Sequence, residues 1–271
     1  MPSDARSLGG GAKAEAGSLA IQIRVFKALF IREMMTRYGR NNIGFLWLFV
    51  EPMLFTIMVV IMRAGIKGMM VGNIPIIAFA ISGFATIQMW RSMPSRVLGA
   101  VASNRSLLYH RQVTIPDVYW SRMALEVAGS SVSLITLILV AAVLEWAPWP
   151  EDVLKMLGGF GMLVWFGLGL GLIIGPLSER WPVVGNVWRP VSYLFFPLSG
   201  IAFVVDILPP GLQRIVLWLP QVHSLEYFRE GWFGSTFTAH YDMSYAALWN
   251  LGLTFVGLAL LRQVKFDTSS E

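Results

Sequence analysis

Six stretches of this 271-residue chain are apolar over the length that a helix needs to cross a bilayer, and they constrain its fold more than any other feature. They run from Ile43 to Met62, Ile74 to about Val101, Tyr119 to Leu144, Val153 to Leu177, Val183 to Val205 and Tyr245 to Leu261. A spanning helix takes roughly 20 apolar residues at about 1.5 Å each, and about 17 suffice in places. With 55% hydrophobic and 14% charged residues and a mean hydropathy of +0.61, a water-soluble domain would lack the charges to cover its surface. The expected fold is an all-α integral membrane protein with six transmembrane helices. Arg189 and Pro190 interrupt the fifth stretch, so its lipid-embedded part is expected after Pro190, where the missing backbone donor no longer interferes.

Charge sets the orientation. With the N-terminus in the cytosol, 16 of the 21 Lys and Arg residues fall on the cytosolic side and 5 outside, so both termini are expected to be cytosolic. The pI of about 9.7 and net charge of +5 therefore reflect topology, and a nucleic-acid partner loses its main support. The absence of cysteine excludes disulfides and thiolate metal sites. Residues 1 to 18 have no apolar core and read as a disordered cytosolic tail, followed by one membrane domain over 19–271. Between residues 19 and 40 an interface helix is expected. Leu19, Ile23, Phe26, Phe30 and Met34 form its apolar stripe, and Gln22, Lys27, Thr36, Arg37 and Arg40 lie off it, free to hold anionic headgroups or meet a cytosolic partner.

The connections differ in kind. The long outer stretch from Asp206 to Ser244 is still apolar and aromatic, and Pro220 divides it into two runs too short to span. Two re-entrant or interfacial outer helices over about 211–232 follow; two further spans would place Arg214, Glu226, Arg229 and Glu230 in lipid. On the cytosolic side, Asn104 to Arg111 reads as a short helix presenting Leu107, Leu108 and Tyr109 between basic residues, a shape that fits a socket on a cytosolic protein. Arg122 and Glu126, four apart, are expected to pair at the membrane entrance. Glu51 reads as the one acidic residue well inside a span; with Pro52 behind it, it is a hinge candidate, open to either a structural or a substrate-facing role.

Chemistry-bearing motifs are absent from the sequence. There is no G-x-x-x-x-G-K-[ST] phosphate loop and no G-x-S-x-G elbow, and His110, His223 and His240 are scattered, so no metal site is expected. Gly167, Gly171 and Gly175 recur every four residues, as close helix packing requires. Trp90, Trp165, Trp188, Tyr193 and Phe196 suit either an interfacial belt or a surface for sugar rings.

Three stretches, in order, carry a family resemblance: ALFIREMMTRYGRNNIGFLWLFVEP, SLLYHRQVTIPD and PLSGIAFVVDILPPGLQRIVLWLPQVHSLEYFREGWF. From about residue 20 to the C-terminus the chain resembles the transmembrane subunit of ABC-2 type exporters, specifically the capsular polysaccharide export permeases. The resemblance implies a bacterial inner-membrane protein that is not itself an enzyme. Two copies would pair with two cytosolic ATPase subunits, which carry the ATP and magnesium, to pass a lipid-linked polysaccharide outward. A periplasmic export adaptor is a further implied partner. It places ATPase coupling at Arg32, Glu33 and Arg37 of the interface helix and at Asn104, Leu107, Leu108, Tyr109 and Arg111 of the coupling helix. Trp47 joins Glu51 and Pro52 in the hinge. Trp90, Arg91, Arg96, Trp188, Arg189 and Tyr193 are assigned to the substrate path, where positive charge near the cytosolic mouth suits an acidic polymer. Asp206, Pro209, Pro220, Glu226 and Arg229 fall at the outer gate. Two alternatives stay open: a permease for another cargo (O-antigen, teichoic acid, a lipid or a drug), and a membrane enzyme acting on lipid-linked glycans through His223, Glu226 and Arg229.

Overall fold

The computed structural model describes residues 7–38, 46, 50, 53–54, 57–58, 61–62, 70–71, 74–109, 113–201 and 203–264, with side chains in the first helix from residue 21 to 37. Trp47, Glu51 and Pro52 of the expected hinge, and Arg111 of the coupling loop, lie outside the described residues. Among the described residues are ten α-helices and one short ribbon. In chain order these are α1 (Ser7–Tyr38), the ribbon β1 (Met70–Val71) and β2 (Ile74–Pro75), α2 (Ile76–Val97), α3 (Ala100–Ser103), α4 (Arg105–Leu108), α5 (Ile115–Val143), α6 (Val153–Arg180), α7 (Val183–Phe196), α8 (Pro210–Val216), α9 (Pro220–Phe233) and α10 (Met243–Leu261). The described residues between 46 and 62 are helical as well. Three helices, α5, α6 and α10, are long and apolar enough to cross a membrane.

The middle of the fold is α2, which is buried nearly all round: Phe79, Ile87, Met89, Trp90 and Met93 have almost no exposed surface. A helix apolar on every face needs neighbours on every face, and α5 and α6 pack along it. Two of its buried polar residues are satisfied from within: Ser82 Oγ donates to Phe79 O (2.9 Å) and Thr86 Oγ1 to Ser82 O (2.5 Å). On α6 the glycines make the close approaches. Gly167 faces Trp90 and Met93 of α2, while Gly171 and Gly175 face Met123 and Tyr119 of α5. The opposite side of α6 holds α10 through two polar links, Trp165 Nε1 to Thr254 Oγ1 (2.9 Å) and Asn250 Nδ2 to Met162 O (3.0 Å).

Several elements differ from the sequence reading. α1 begins at Ser7, inside the stretch read as a tail. α5 begins at Ile115, because the Asp117 carboxylate accepts from Thr114 N (2.9 Å) and Thr114 Oγ1 (2.7 Å) and so closes the first turn ahead of Tyr119. The fifth stretch is not one regular span. α7 continues through Pro190 and gives way at Phe196 to a π turn, Pro197–Ile201, where Gly200 takes φ 86°. Only glycine adopts that conformation cheaply, so the break is set at Gly200 rather than at Pro190. At 14 residues, α7 covers about 21 Å, less than the ~30 Å hydrocarbon core.

Two short helices form in the stretch expected to lie outside, with Pro220 opening the second. α9 does not lie on the surface, however. It packs on α6 and α10, with Val222, Phe228, Arg229 and Trp232 buried. The contact depends on Gly159: a Cβ there would sit 2.6 Å from the Phe228 backbone nitrogen, whereas one at Gly161 would meet nothing within 4 Å. Gly159→Ala should therefore lower the melting midpoint of the detergent-solubilised protein by several degrees, as overpacking costs about 1–3 kcal/mol. Gly161→Ala should leave it unchanged. Equal midpoints for the two variants would show that α9 does not dock on α6 this closely.

Candidate functional site

Among the described residues, two clusters of linked polar side chains stand out, one at each end of α2. At the end marked by Arg96, α1 lies against α5 with Leu29 buried and Phe26 half-buried between them. The apolar stripe expected on α1 is only partly the packed one, since Ile23 is 54% exposed. The packed side also carries Arg32, Glu33 and Arg37, and each reaches a different partner. Arg32 Nη1 donates to Asn104 Oδ1 (2.6 Å), Glu33 Oε1 pairs with Arg122 Nε (3.0 Å), and Arg37 Nη1 pairs with Glu126 Oε2 (2.8 Å). One turn and a half of helix thus touches the loop after α2 and two levels of α5. Arg37, read from sequence as part of a free polar face, instead points into the protein.

Glu126 is the centre of this cluster. It sits within α5, its side chain is 10% exposed, and it takes bonds from three residues on two other helices: Arg37 of α1, Arg96 Nε of α2 at 3.0 Å on the same oxygen, and Ser92 Oγ of α2 at 2.7 Å on the other. Two guanidinium groups and a hydroxyl replace the water that a buried carboxylate has lost. The expected Arg122–Glu126 pair is therefore corrected. Arg122 turns to Glu33, Arg96 O (3.2 Å) and Ser103 Oγ (2.8 Å), because nearby tertiary partners outcompete a helical i,i+4 contact of a few tenths of a kcal/mol. The reading of Glu51 as the sole deep carboxylate is corrected by the same observation.

The short helix expected between Asn104 and Arg111 forms, though only as the single turn of α4 after the turn of α3. Asn104 is not part of its surface. It is 2% exposed, its Nδ2 donates to Ala100 O (2.9 Å), and its Oδ1 receives Arg32. Leu107 and Leu108 are half-buried, Leu108 packing onto the core, while Arg105, Ser106 and Tyr109 are exposed. Glu179 at the end of α6 accepts from Val101 N (3.0 Å) and holds the start of the loop. The loop thus presents Arg105 to Tyr109 outward on a base tied to α1, α5 and α6.

Of the residues assigned to a substrate path, Trp90 is buried with its ring edge-on to Phe166 at 5.2 Å, and with Trp188, Trp218 and Trp249 it lines a cavity of about 260 Å³. Arg91 lies over the Tyr193 and Phe196 rings at 4.5 and 5.0 Å, a cation–π arrangement on a strip where Tyr193 is 66% exposed. Arg189 is exposed one turn away. Arg96 belongs to the Glu126 cluster and not to this strip.

The second polar cluster fastens the outer helices. Arg229 of α9 is fully buried. Its Nε reaches Ser82 Oγ (3.3 Å) and its Nη1 reaches Phe203 O (3.1 Å); its guanidinium covers the Phe79 ring at 4.3 Å and stands 3.9 Å from Glu226. A charge excluded from lipid on energetic grounds is accommodated here inside protein. Burial raises the Glu226 carboxyl to about 7 against the pull of Arg229, and Glu226 accepts from His240 N (3.3 Å). His223 is held below its usual value by burial, which fits a neutral ring whose Nδ1 accepts from Asp242 N (2.8 Å) and whose Nε2 donates to Leu217 O (2.7 Å). Asp206 pairs with His240 Nε2 at 2.9 Å; Pro209 and Pro220 stand at the starts of α8 and α9. His223, Glu226 and Arg229 thus brace backbone segments instead of converging on a cavity. Among the described residues no group of three or more His, Asp or Glu side chains is placed to hold a metal ion.

Sequence reasoning passed over Ser92, Glu126 and His240 as site residues. For Glu126 a signal was present: a carboxylate eleven residues into an apolar helix demands a cation, and Arg37 and Arg96 supply it.

Comparison with known proteins bears on what these clusters serve. Residues 24–233 match the family model described as ABC-2 type transporter. The chain is 42% identical to the capsule polysaccharide export inner-membrane protein CtrC of Neisseria meningitidis serogroup B, over 94% of this chain and 95% of that one. It is 40% identical to the capsule polysaccharide export inner-membrane protein BexB of Haemophilus influenzae, over 90% and 92%. It is 26% identical to the polysialic acid transport protein KpsM of Escherichia coli, over 89% and 94%. The paired Arg32–Glu33–Arg37 face, the loop it holds and the braced outer helices all fall within the matched region, and the chain belongs to the ABC-2 type transporter family.

Proposed function

We propose that this protein is the membrane-spanning permease of an ABC exporter that carries capsule polysaccharide across the inner membrane. The names of relatives that align with it nearly end to end support the cargo class. ATP hydrolysis belongs to a separate subunit with its own magnesium; this chain has no phosphate loop. Six spans with both termini cytosolic, paired copies of the chain, two ATPase subunits and a lipid-linked form of the polymer complete the reading. The strong excess of cytosolic Lys and Arg supports the topology. A periplasmic adaptor would meet the outer helices.

The observation that carries the mechanism is the joint attachment of α1 and the α3–α4 loop to the spans. An ATPase cleft that receives Arg105 to Tyr109 pushes on a loop whose buried base, Asn104, is hydrogen-bonded to Arg32. Because Glu33 and Arg37 are bound to Arg122 and Glu126, displacement of the loop moves α1 together with α5, and through Arg96 it reaches α2. In this reading the movement of α1 is passed to the first span through a hinge that we assign to Trp47, Glu51 and Pro52. Arg91, with Tyr193 and Arg189 beside it, receives the acidic polymer at the cytosolic mouth, and Asp206, Pro209, Pro220, Glu226 and Arg229 belong to the outer gate.

Two variants separate docking from transmission. Replacing Leu107 and Tyr109 by Ser should abolish copurification of the ATPase. Glu126→Gln should keep the complex together and reduce surface capsule about tenfold or more, since a neutral amide holds Arg37 and Arg96 less tightly and loosens α1 and α2 from α5. Retention of full export in the Glu126→Gln strain, read by surface immunolabelling, would contradict the transmission route. Arg91→Gln and Arg189→Gln should weaken export of an acidic capsule and spare a neutral one expressed in the same cells. Unchanged export of both would remove these residues from the path. Deletion of the gene should leave one capsule polymer in the cytosol with other surface glycans normal, which separates capsule from other cargo.

A further inference from the structure

A groove of about 730 Å³ lies between α1, α5 and α6, on a different face of α5 from the Glu126 cluster. This is the size of a small-ligand cleft, roughly 300–1,000 Å³. Its lining changes character along α5. Asp117, bonded to Gln22 of α1 at 3.2 Å, marks one end, Lys27 of α1 also lines it, and Ala124, Ala128 and Leu168 continue it along the spans.

The helix register fixes the depth of each end. Tyr119 stands against Gly175, five residues before α6 ends at Arg180, so Asp117 lies at the charged end of α6. Leu168 is twelve residues from that end, about 18 Å deeper at ~1.5 Å per residue. On α5 the lining runs from Asp117 to Ala128, about 16 Å. Both lengths are close to half of the ~30 Å hydrocarbon core, the thickness of one leaflet. The groove is therefore polar at headgroup level and apolar through a single leaflet, and two of its three walls are helices able to cross the membrane.

Charge at the mouth selects the headgroup. Lys27 is exposed, lines the groove and has no ion pair among the described residues; Arg24 is exposed one turn before it. Asp117 does not oppose an anion strongly, because it is 6% exposed and both oxygens are engaged, Oδ2 by Thr114 and Oδ1 by Gln22 Nε2 at 3.2 Å. A lysine at this level extends its ammonium to the phosphate plane.

We propose that this groove is a binding site for one anionic phospholipid of the cytosolic leaflet, its phosphate at Lys27 and an acyl chain along Trp120, Ala124 and Ala128. The bound lipid fills the space between α1 and α5 below the Gln22–Asp117 bond and keeps α1 seated for the contacts made by Arg32, Glu33 and Arg37. The site depends on α5 and α6 crossing the bilayer and not on the cargo.

Trp120 is a built-in reporter. The full chain is reconstituted in vesicles of phosphatidylcholine and phosphatidylglycerol at a fixed ratio, with dibrominated acyl chains on one lipid or the other. The Trp120 share of fluorescence is taken by subtracting the Trp120→Phe variant. Bromine on phosphatidylglycerol should quench that share about fivefold more than bromine on phosphatidylcholine at equal mole fraction, the preference expected of about one lysine near the membrane. Ala128→Phe, which fills the groove, and Lys27→Gln, an exposed change that leaves the fold intact, should each bring the ratio toward one. Equal quenching by the two lipids in the wild-type chain would overturn the proposal, and so would a preference that survives both variants. The vesicles contain no polymer, so preference for plain phosphatidylglycerol also distinguishes a bilayer lipid from the lipid anchor of a cargo. A preference that arises only with a polymer-bearing lipid would likewise overturn it.

Discussion

A carboxylate buried among helices must be neutralised where it stands, and Glu126 is neutralised by two arginines that belong to different elements. Taking this charge out of water costs several kcal/mol, and the attraction of Arg37 and Arg96 offsets that only while both remain within about 3 Å. The consequence is mechanical. α1 cannot leave α5, and the end of α2 cannot leave either, without stranding a charge in a poorly solvated place. An interaction of little net stabilising value thus fixes the relative position of three helices.

The rest of the molecule is arranged around that constraint. α2 is the shared member, holding Ser92 and Arg96 at one end and Ser82, which receives Arg229, at the other. Between these polar ends the contact is apolar and close, through the glycines of α6 against Trp90, Met123 and Tyr119. Polar fasteners at both ends with a glycine-lined middle favour movement of packed groups as units over bending within them. Among the described residues, the seam between such units is the break at Gly200, where α7 gives way to the π turn before α8.

Much of this was legible in the sequence, and the failures have physical causes. Apolar length located α5, α6 and α10 because the bilayer imposes it, and Pro220 divided the two short helices after residue 206 because it cannot donate inside a helix. The short cytosolic helix was legible from its apolar and aromatic residues between basic ones. Local rules failed where a distant partner decided the outcome. Arg122 and Glu126 satisfy the i,i+4 rule but each finds a stronger partner on α1. Arg229 was assessed against lipid, whereas its surroundings are Phe79, Ser82 and the Phe203 carbonyl. The packed face of α1 was misjudged because Arg32, Glu33 and Arg37 share it with Leu29, and periodicity treats charge as outward-facing. The break in the fifth stretch was assigned to Pro190, since a positive φ at Gly200 leaves no mark beyond the glycine itself.

The central claim is that α1 and the cytosolic loop move as one body with α5. The chain has no cysteine, so an engineered pair supplies its only thiols. With Arg32→Cys and Asn104→Cys bridged by a short bis-methanethiosulfonate reagent in the assembled transporter, the covalent tether replaces the Arg32–Asn104 hydrogen bond. The account predicts that bridging restores ATP-driven polysaccharide transport in proteoliposomes to near the wild-type rate, above that of the unbridged double variant. Transport that stops on bridging and returns on reduction would show that α1 and the loop must separate during the cycle, and would contradict it.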